Sequence, residues 1–207
     1  MAMVLPKFDD PNPTAEYLRQ EQSRLKIQAD KMMAQTKIMD VFSRHGKLLE
    51  IGGSYKYNLM VYPDLDIEFI PNKVDKASVA SLLADIAKQD EVRGVQYADR
   101  ANFPSQTPGR PIGYWIGTEI PFEGDSWGID CWLQENSQGI FINDYSKRLT
   151  ELDQQTIDAI LSIKYHLIYK GLYGKKFLSA QVYDAVLDDG IRTTEQFLNK
   201  MRSTLSS

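Results

Sequence analysis

The sequence is poor in the residues from which disulfide frameworks and zinc sites are built. It has one cysteine, Cys131, and two histidines, His45 and His166, among 207 residues. A single cysteine excludes a disulfide within the chain. Neither histidine has a Cys or His near it at ligand spacing, so a zinc site is not expected. A chain of this length can still bury a sizeable core without cross-links.

Long apolar runs are also missing. No run approaches the roughly 20 apolar residues that a membrane-spanning helix needs, and Pro6, Asp9 and Pro11 interrupt the first dozen residues where a signal segment would lie. We therefore expect a cytoplasmic protein with no membrane partner. The net charge of −4 argues mildly against a non-specific nucleic-acid binder, because such proteins carry a basic face.

Hydrophobic patterning divides the chain into three segments. Residues 1–45 predict a Pro-rich arm and one long helix, ended by Gly46 in the left-handed conformation. Residues 46–148 alternate strand and helix patterns and form the predicted core domain. Residues 149–207 show apolar stripes at helical spacing, which predict a C-terminal helical subdomain. The proline-rich stretch 101–111 is predicted to be a loop.

A strictly alternating segment at residues 64–70 is the strongest strand signal in the chain. Its carboxylates share one face and its apolar side chains the other, since side chains alternate along a strand. Asp64 and Asp66 then lie roughly 7 Å apart, and their mutual repulsion is relieved most simply by a cation. Oxygen ligands without nearby His or Cys suit Mg²⁺ or Mn²⁺. Glu68 continues the same acidic face.

A glycine-rich turn precedes this strand. In Gly52-Gly53-Ser54, glycine lets backbone N–H groups point at an anion, and the serine adds a hydroxyl donor. Lys56 is a further candidate for neutralising phosphate charge, although helical lysines are usually solvated. Taken alone, the turn is an ordinary connection and the aspartates are a solvated strand face. Together they favour a site for a nucleoside triphosphate.

The spacing of these two features resembles a known signature. Gly53-Ser54, followed after nine residues by Asp64-Leu65-Asp66-Ile67, is similar to the nucleotidyltransferase superfamily related to DNA polymerase beta. There a Gly-Ser turn precedes an Asp-x-Asp strand, and a third carboxylate lies on a later strand. Asp130 is the best match for it, because an uncompensated charge in the middle of an apolar strand is costly. The other candidates for this third position are Asp99, Glu119 and Asp125. The resemblance covers about residues 47–133.

The resemblance implies an α/β (α+β) fold, with a mixed, mostly antiparallel sheet flanked by helices. It implies that Asp64, Asp66 and Asp130 hold two metal ions, while Gly53 and Ser54 hold the triphosphate of ATP or another NTP. Attack by a hydroxyl on the α-phosphorus would release pyrophosphate. The acceptor stays open among small molecules such as antibiotics, proteins and RNA. Two alternatives also stay open: a catalytically inactive nucleotide-binding or regulatory module, and a helical interaction protein.

Overall fold

The computed structural model describes residues 6, 8–104, 112–133 and 145–205. The chain forms two compact units. The first comprises the described residues of 26–57 and 63–146, and the second comprises those of 2–25, 58–62 and 147–205. Most of the predicted loop 101–111 lies outside the described residues.

The first unit contains a five-stranded sheet with the order β1-β2-β5-β4-β3. Only β2 and β5 pair in parallel; the other neighbours pair antiparallel. The sheet is therefore mixed and mostly antiparallel, which confirms the predicted α+β class. Its strands are β1 (Gly46–Ile51), β2 (Asp64–Pro71), β3 (Gly94–Asp99), β4 (Tyr114–Phe122) and β5 (Asp125–Leu133).

Four helices precede or interrupt these strands: α1 (Ala15–Gln35), α2 (Ile38–His45), α3 (Gly53–Lys56) and α4 (Lys76–Ala87). Residues 15–25 of α1 belong to the second unit and residues 26–35 to the first. The helix α4 begins where the Asp75 side chain accepts a hydrogen bond from the Ser78 amide at 2.7 Å, which satisfies one of the unpaired amides of a first helical turn.

The single long helix predicted up to His45 is wrong, because the helix breaks at Thr36 and Lys37. The Lys37 amide donates to the carboxylate of Glu91 at 2.7 Å instead of to a helical carbonyl. Gly46 is not left-handed either: its φ of 171° is extended, and it is the first residue of β1.

One face of the sheet carries the apolar core. The buried side chains on β2 and β5 that build it include Leu65, Ile67, Phe69, Ile129 and Cys131. Phe42 of α2 packs edge-on against Phe69, with ring centroids 5.9 Å apart. The alternation of residues 64–70 thus predicts correctly which side chains of β2 are buried.

The second unit is helical. Its helices are α5 (Tyr145–Arg148, shared with the first unit), α6 (Gln154–Tyr169), α7 (Ser179–Leu187) and α8 (Thr194–Leu205). Asp153 caps α6 by accepting from the Thr156 amide at 2.7 Å. Lys164 is wholly buried and donates to the carbonyl of Leu59 at 2.6 Å. Of the helices described, none has the length and apolarity to cross a membrane.

Candidate functional site

Pairing of β2 with β5 brings two of the three predicted metal ligands side by side. Asp66 lies directly opposite Asp130 in the parallel register, and Asp64 lies opposite Gly128. Neighbouring strands are about 4.8 Å apart, and residues paired in this way project from the same face. Asp64, Asp66 and Asp130 therefore share one face of the sheet, and all three are half-buried. We call it the carboxylate face.

The opposite, apolar face keeps this arrangement in register. Ile129 and Cys131, which flank Asp130, are fully buried on it. A shift of either strand by one residue would move its apolar side chains to the carboxylate face and its carboxylates into the core. The register that places Asp66 beside Asp130 is thus the one that buries the core.

The Gly53 turn packs directly against the carboxylate of Asp66. The amide of Gly52 donates to the carbonyl of Asp66 at 2.8 Å. Gly53 has a φ of +59°, a conformation that disfavours other residues. A Cβ at this position would lie 1.9 Å from Asp66 Oδ2, so any side chain there would displace the Asp66 carboxylate. The turn and the strand that the sequence motif pairs are therefore in contact, and glycine is what permits it.

The strand β4 lies on the other side of Asp130. Gly117 of β4 pairs with Asp130, and a Cβ at Gly117 would stand 3.5 Å from Asp130 Oδ1. The same Cβ would meet ring carbons of Trp115 at 2.6 Å. Trp115 pairs with Trp132 across β4 and β5. These residues border the carboxylate face, but no motif in the sequence indicates them, because their position depends on which strands pair.

Lys56, which is predicted to contact the triphosphate, forms an ion pair with Glu50. Its Nζ donates to Glu50 Oε1 at 2.7 Å, and this hydrogen bond raises the pKa of Lys56. Glu50 lies opposite Glu68 in the β1–β2 pair. Lys56 therefore neutralises a carboxylate at the border of the carboxylate face.

Glu68 adds negative charge to the carboxylate face. Its Oε1 is shielded from solvent and makes no hydrogen bond with the residues that the structure describes. Burial, together with the nearby charges of Glu50 and Asp66, raises the pKa of the Glu68 carboxyl, while Lys56 opposes this rise. The face thus concentrates like charges that repel one another.

The donors on this face fit a hard divalent cation in type, since carboxylate oxygens are the ligands that Mg²⁺ and Mn²⁺ prefer. The structure does not bring three such ligands together at one point. Among the described residues, no three His, Cys, Asp or Glu side chains form a group that could hold a metal ion. Ligation of one ion by Asp64, Asp66 and Asp130 together therefore requires their side chains to rotate towards one another.

Comparison with protein-family models gives no match, and comparison with curated proteins gives none either. The resemblance to the nucleotidyltransferase superfamily thus stays a prediction from the motif. What the structure adds is the contact between the motif's two parts and the position of Asp130.

Proposed function

We propose that the protein is a metal-dependent nucleotidyltransferase, which moves a nucleoside monophosphate from a nucleoside triphosphate to a hydroxyl-bearing acceptor. The observation that carries this proposal is the Gly53 turn packed on the carboxylate of Asp66, which itself lies beside Asp130. A candidate phosphate-binding turn and candidate metal ligands thus adjoin one another, as chemistry on a triphosphate requires.

Each residue has a role in this proposal. Asp64, Asp66 and Asp130 would hold Mg²⁺ or Mn²⁺, which when bound offsets phosphate charge and activates the attacking oxygen. The backbone at Gly53 and the hydroxyl of Ser54 donate to the β- and γ-phosphates. The acceptor hydroxyl passes its proton to the carboxylate of Asp130 as its oxygen bonds to the α-phosphorus. The bond from that phosphorus to the bridging oxygen breaks, and pyrophosphate leaves.

The donor is ATP or another nucleoside triphosphate. The net charge of −4 favours a small molecule, such as an antibiotic, or a protein as acceptor over RNA. The lone cysteine, Cys131, is fully buried, which agrees with the cytoplasmic location that we propose.

Calorimetric titration with ATP, GTP, CTP and UTP tests the proposal, in the presence of Mg²⁺ or Mn²⁺. We expect wild-type protein to bind one of them in a metal-dependent manner. Asp66→Asn should weaken this binding at least about tenfold, which corresponds to the loss of one charged ligand contact worth roughly 1.4 kcal/mol or more. Asp40→Asn is the matched control, because Asp40 is an exposed residue of α2 outside the carboxylate face.

Absence of metal-dependent binding by the wild type would overturn the proposal. Binding without pyrophosphate release, with every acceptor tested, would instead support an inactive nucleotide-binding module. A helical interaction protein predicts that Asp64→Asn and Asp66→Asn change neither metal affinity nor activity.

A further inference from the structure

The helix α1 contacts the Gly53 turn through Tyr55, the residue that follows Ser54. The ammonium of Lys26 lies 3.5 Å from the centroid of the Tyr55 ring. The same Nζ donates a hydrogen bond to the Tyr55 carbonyl at 3.0 Å. The Tyr55 hydroxyl donates to Asp30 Oδ1 at 2.5 Å. Lys26 and Asp30 are four residues apart and share one face of α1, so they hold Tyr55 by its ring, its carbonyl and its hydroxyl.

These contacts bear on the turn because α3 cannot hold its own shape. It is one turn long, Gly53–Lys56, and an isolated helix of that length is unstable in water. Contacts on either side of Gly53 and Ser54 therefore contribute to fixing their backbone. On one side the Gly52 amide bonds the Asp66 carbonyl, and on the other side Lys26 bonds Tyr55.

A lysine is unusually suited to this place. A cation over an aromatic face is attracted by the ring, and more strongly when it is partly desolvated. Burial lowers the pKa of Lys26, while the charge of Asp30 raises it. Burial and the hydrogen bond to Asp30 raise the pKa of Tyr55 to about 12, so the tyrosine keeps the proton that it donates. A neutral side chain of the same length provides neither the attraction of a cation to the ring nor the charged donor.

We propose that Lys26 is a positioning residue of the triphosphate site: by holding Tyr55, it sets the backbone of Gly53 and Ser54 in the orientation that binds phosphate. This inference rests on the proposed function and assigns it a residue outside the sequence motif. Lys26 on a polar helix face has no feature in the sequence that distinguishes it from a solvated lysine.

The test compares three variants with the wild type: Lys26→Met, which keeps the length of the side chain but removes the charge and the donors, Lys26→Arg and Tyr55→Phe. The matched control is Lys31→Met, since Lys31 lies on the same helix and pairs instead with Glu123 at 3.3 Å. Two dissociation constants are measured by calorimetry, one for the tightest-binding nucleoside triphosphate with Mn²⁺ and one for Mn²⁺ alone.

We expect Lys26→Met to weaken triphosphate binding about tenfold, the size of one charge-assisted contact network of this kind. Its affinity for Mn²⁺ alone should stay at the wild-type value, because the carboxylates on β2 and β5 are untouched. Lys26→Arg should bind triphosphate within about threefold of wild type, because a guanidinium keeps both the ring contact and the donor. Tyr55→Phe keeps the Lys26 contacts and should weaken binding less than Lys26→Met does.

Wild-type triphosphate affinity in Lys26→Met would overturn the inference while leaving the proposed function intact. So would a loss that Lys31→Met shares, or one that Lys26→Arg does not restore, since either result points to a general effect on α1. If Lys26→Met does not fold, unchanged triphosphate affinity in a folded Lys26→Gln overturns the inference and weakened affinity supports it. Failure of the wild type to bind any triphosphate would overturn the proposed function itself.

Discussion

The two faces of β2 are built from alternating residues of one strand and are opposite in character. Leu65, Ile67 and Phe69 are at most 4% exposed and form the core. Asp64, Asp66 and Glu68 are half-buried and lie among other carboxylates. The apolar face stabilises the fold through burial, whereas the carboxylate face costs stability through repulsion and desolvation.

The largest expected effect on stability comes from the apolar face. Ile67→Ala removes a fully buried side chain and should lower the free energy of unfolding by about 2–4 kcal/mol. The neighbouring Asp66→Asn, on the carboxylate face, should leave that free energy unchanged or raise it, because it removes one of two adjacent charges. Urea denaturation of both variants measures the contrast. A similar loss in both would show that the two faces do not differ in this way.

A smaller loss is expected at the contact between the turn and the strand. Gly53→Ala places a methyl group 1.9 Å from Asp66 Oδ2 at a φ of +59°. The conformation alone costs about 1–2 kcal/mol, and displacement of the carboxylate adds to this cost. We therefore expect Gly53→Ala both to destabilise the protein and to abolish metal-dependent triphosphate binding.

Gly171→Ala is the matched control for that prediction. Its φ is +65°, and a Cβ there meets nothing within 4 Å, so it carries the same conformational cost without a collision. Thermal denaturation and calorimetry of the two variants separate the effects. Equal destabilisation, with triphosphate binding retained in Gly53→Ala, would contradict a functional contact between the turn and Asp66.

The smallest expected effect is an increase in stability. Glu68 lies opposite Glu50, and like charges in that position are destabilising. Glu68→Gln should therefore stabilise the protein by less than about 1 kcal/mol at neutral pH.

The gain from Glu68→Gln should depend on pH. The pKa of Glu68 is raised in the folded state, so the folded protein holds this proton to a higher pH than the unfolded chain does. The destabilisation caused by the Glu68 charge is absent below pH 4.5, the ordinary pKa of the group, and complete above the raised pKa of the folded state. The difference in melting temperature between variant and wild type should thus be positive at about pH 7 and vanish at about pH 4. Glu151→Gln, at an exposed position before α6, is the control.

Much of the fold could be predicted from local patterns. The strand at residues 64–70 and helix α7 at Ser179–Leu187 follow their sequence periodicity, because side-chain burial imposes that periodicity. The helix predicted through Lys37 is wrong for the opposite reason. The partner of the Lys37 amide is Glu91, which lies 54 residues away, and no local pattern carries information about such a partner.

The candidate site likewise has some parts that the local sequence predicts and others that it does not. The acidic strand and the glycine-rich turn were predicted from the sequence, each as a separate feature. Gly117 and Lys26 were not, since one depends on the pairing of β4 with β5 and the other on the packing of α1 against the turn. Whether the site binds metal and triphosphate stays a prediction, to be decided by the titrations.

The sequence by itself determined that Asp64, Asp66 and Glu68 share one face, because a strand repeats every two residues whatever surrounds it. Only the tertiary structure decided what that face adjoins. The parallel pairing of β2 with β5 places Asp130 beside Asp66, and the return of the chain after β1 places Gly53 against the same carboxylate. Both contacts join residues that are distant along the chain, and burial of the common apolar core selects them.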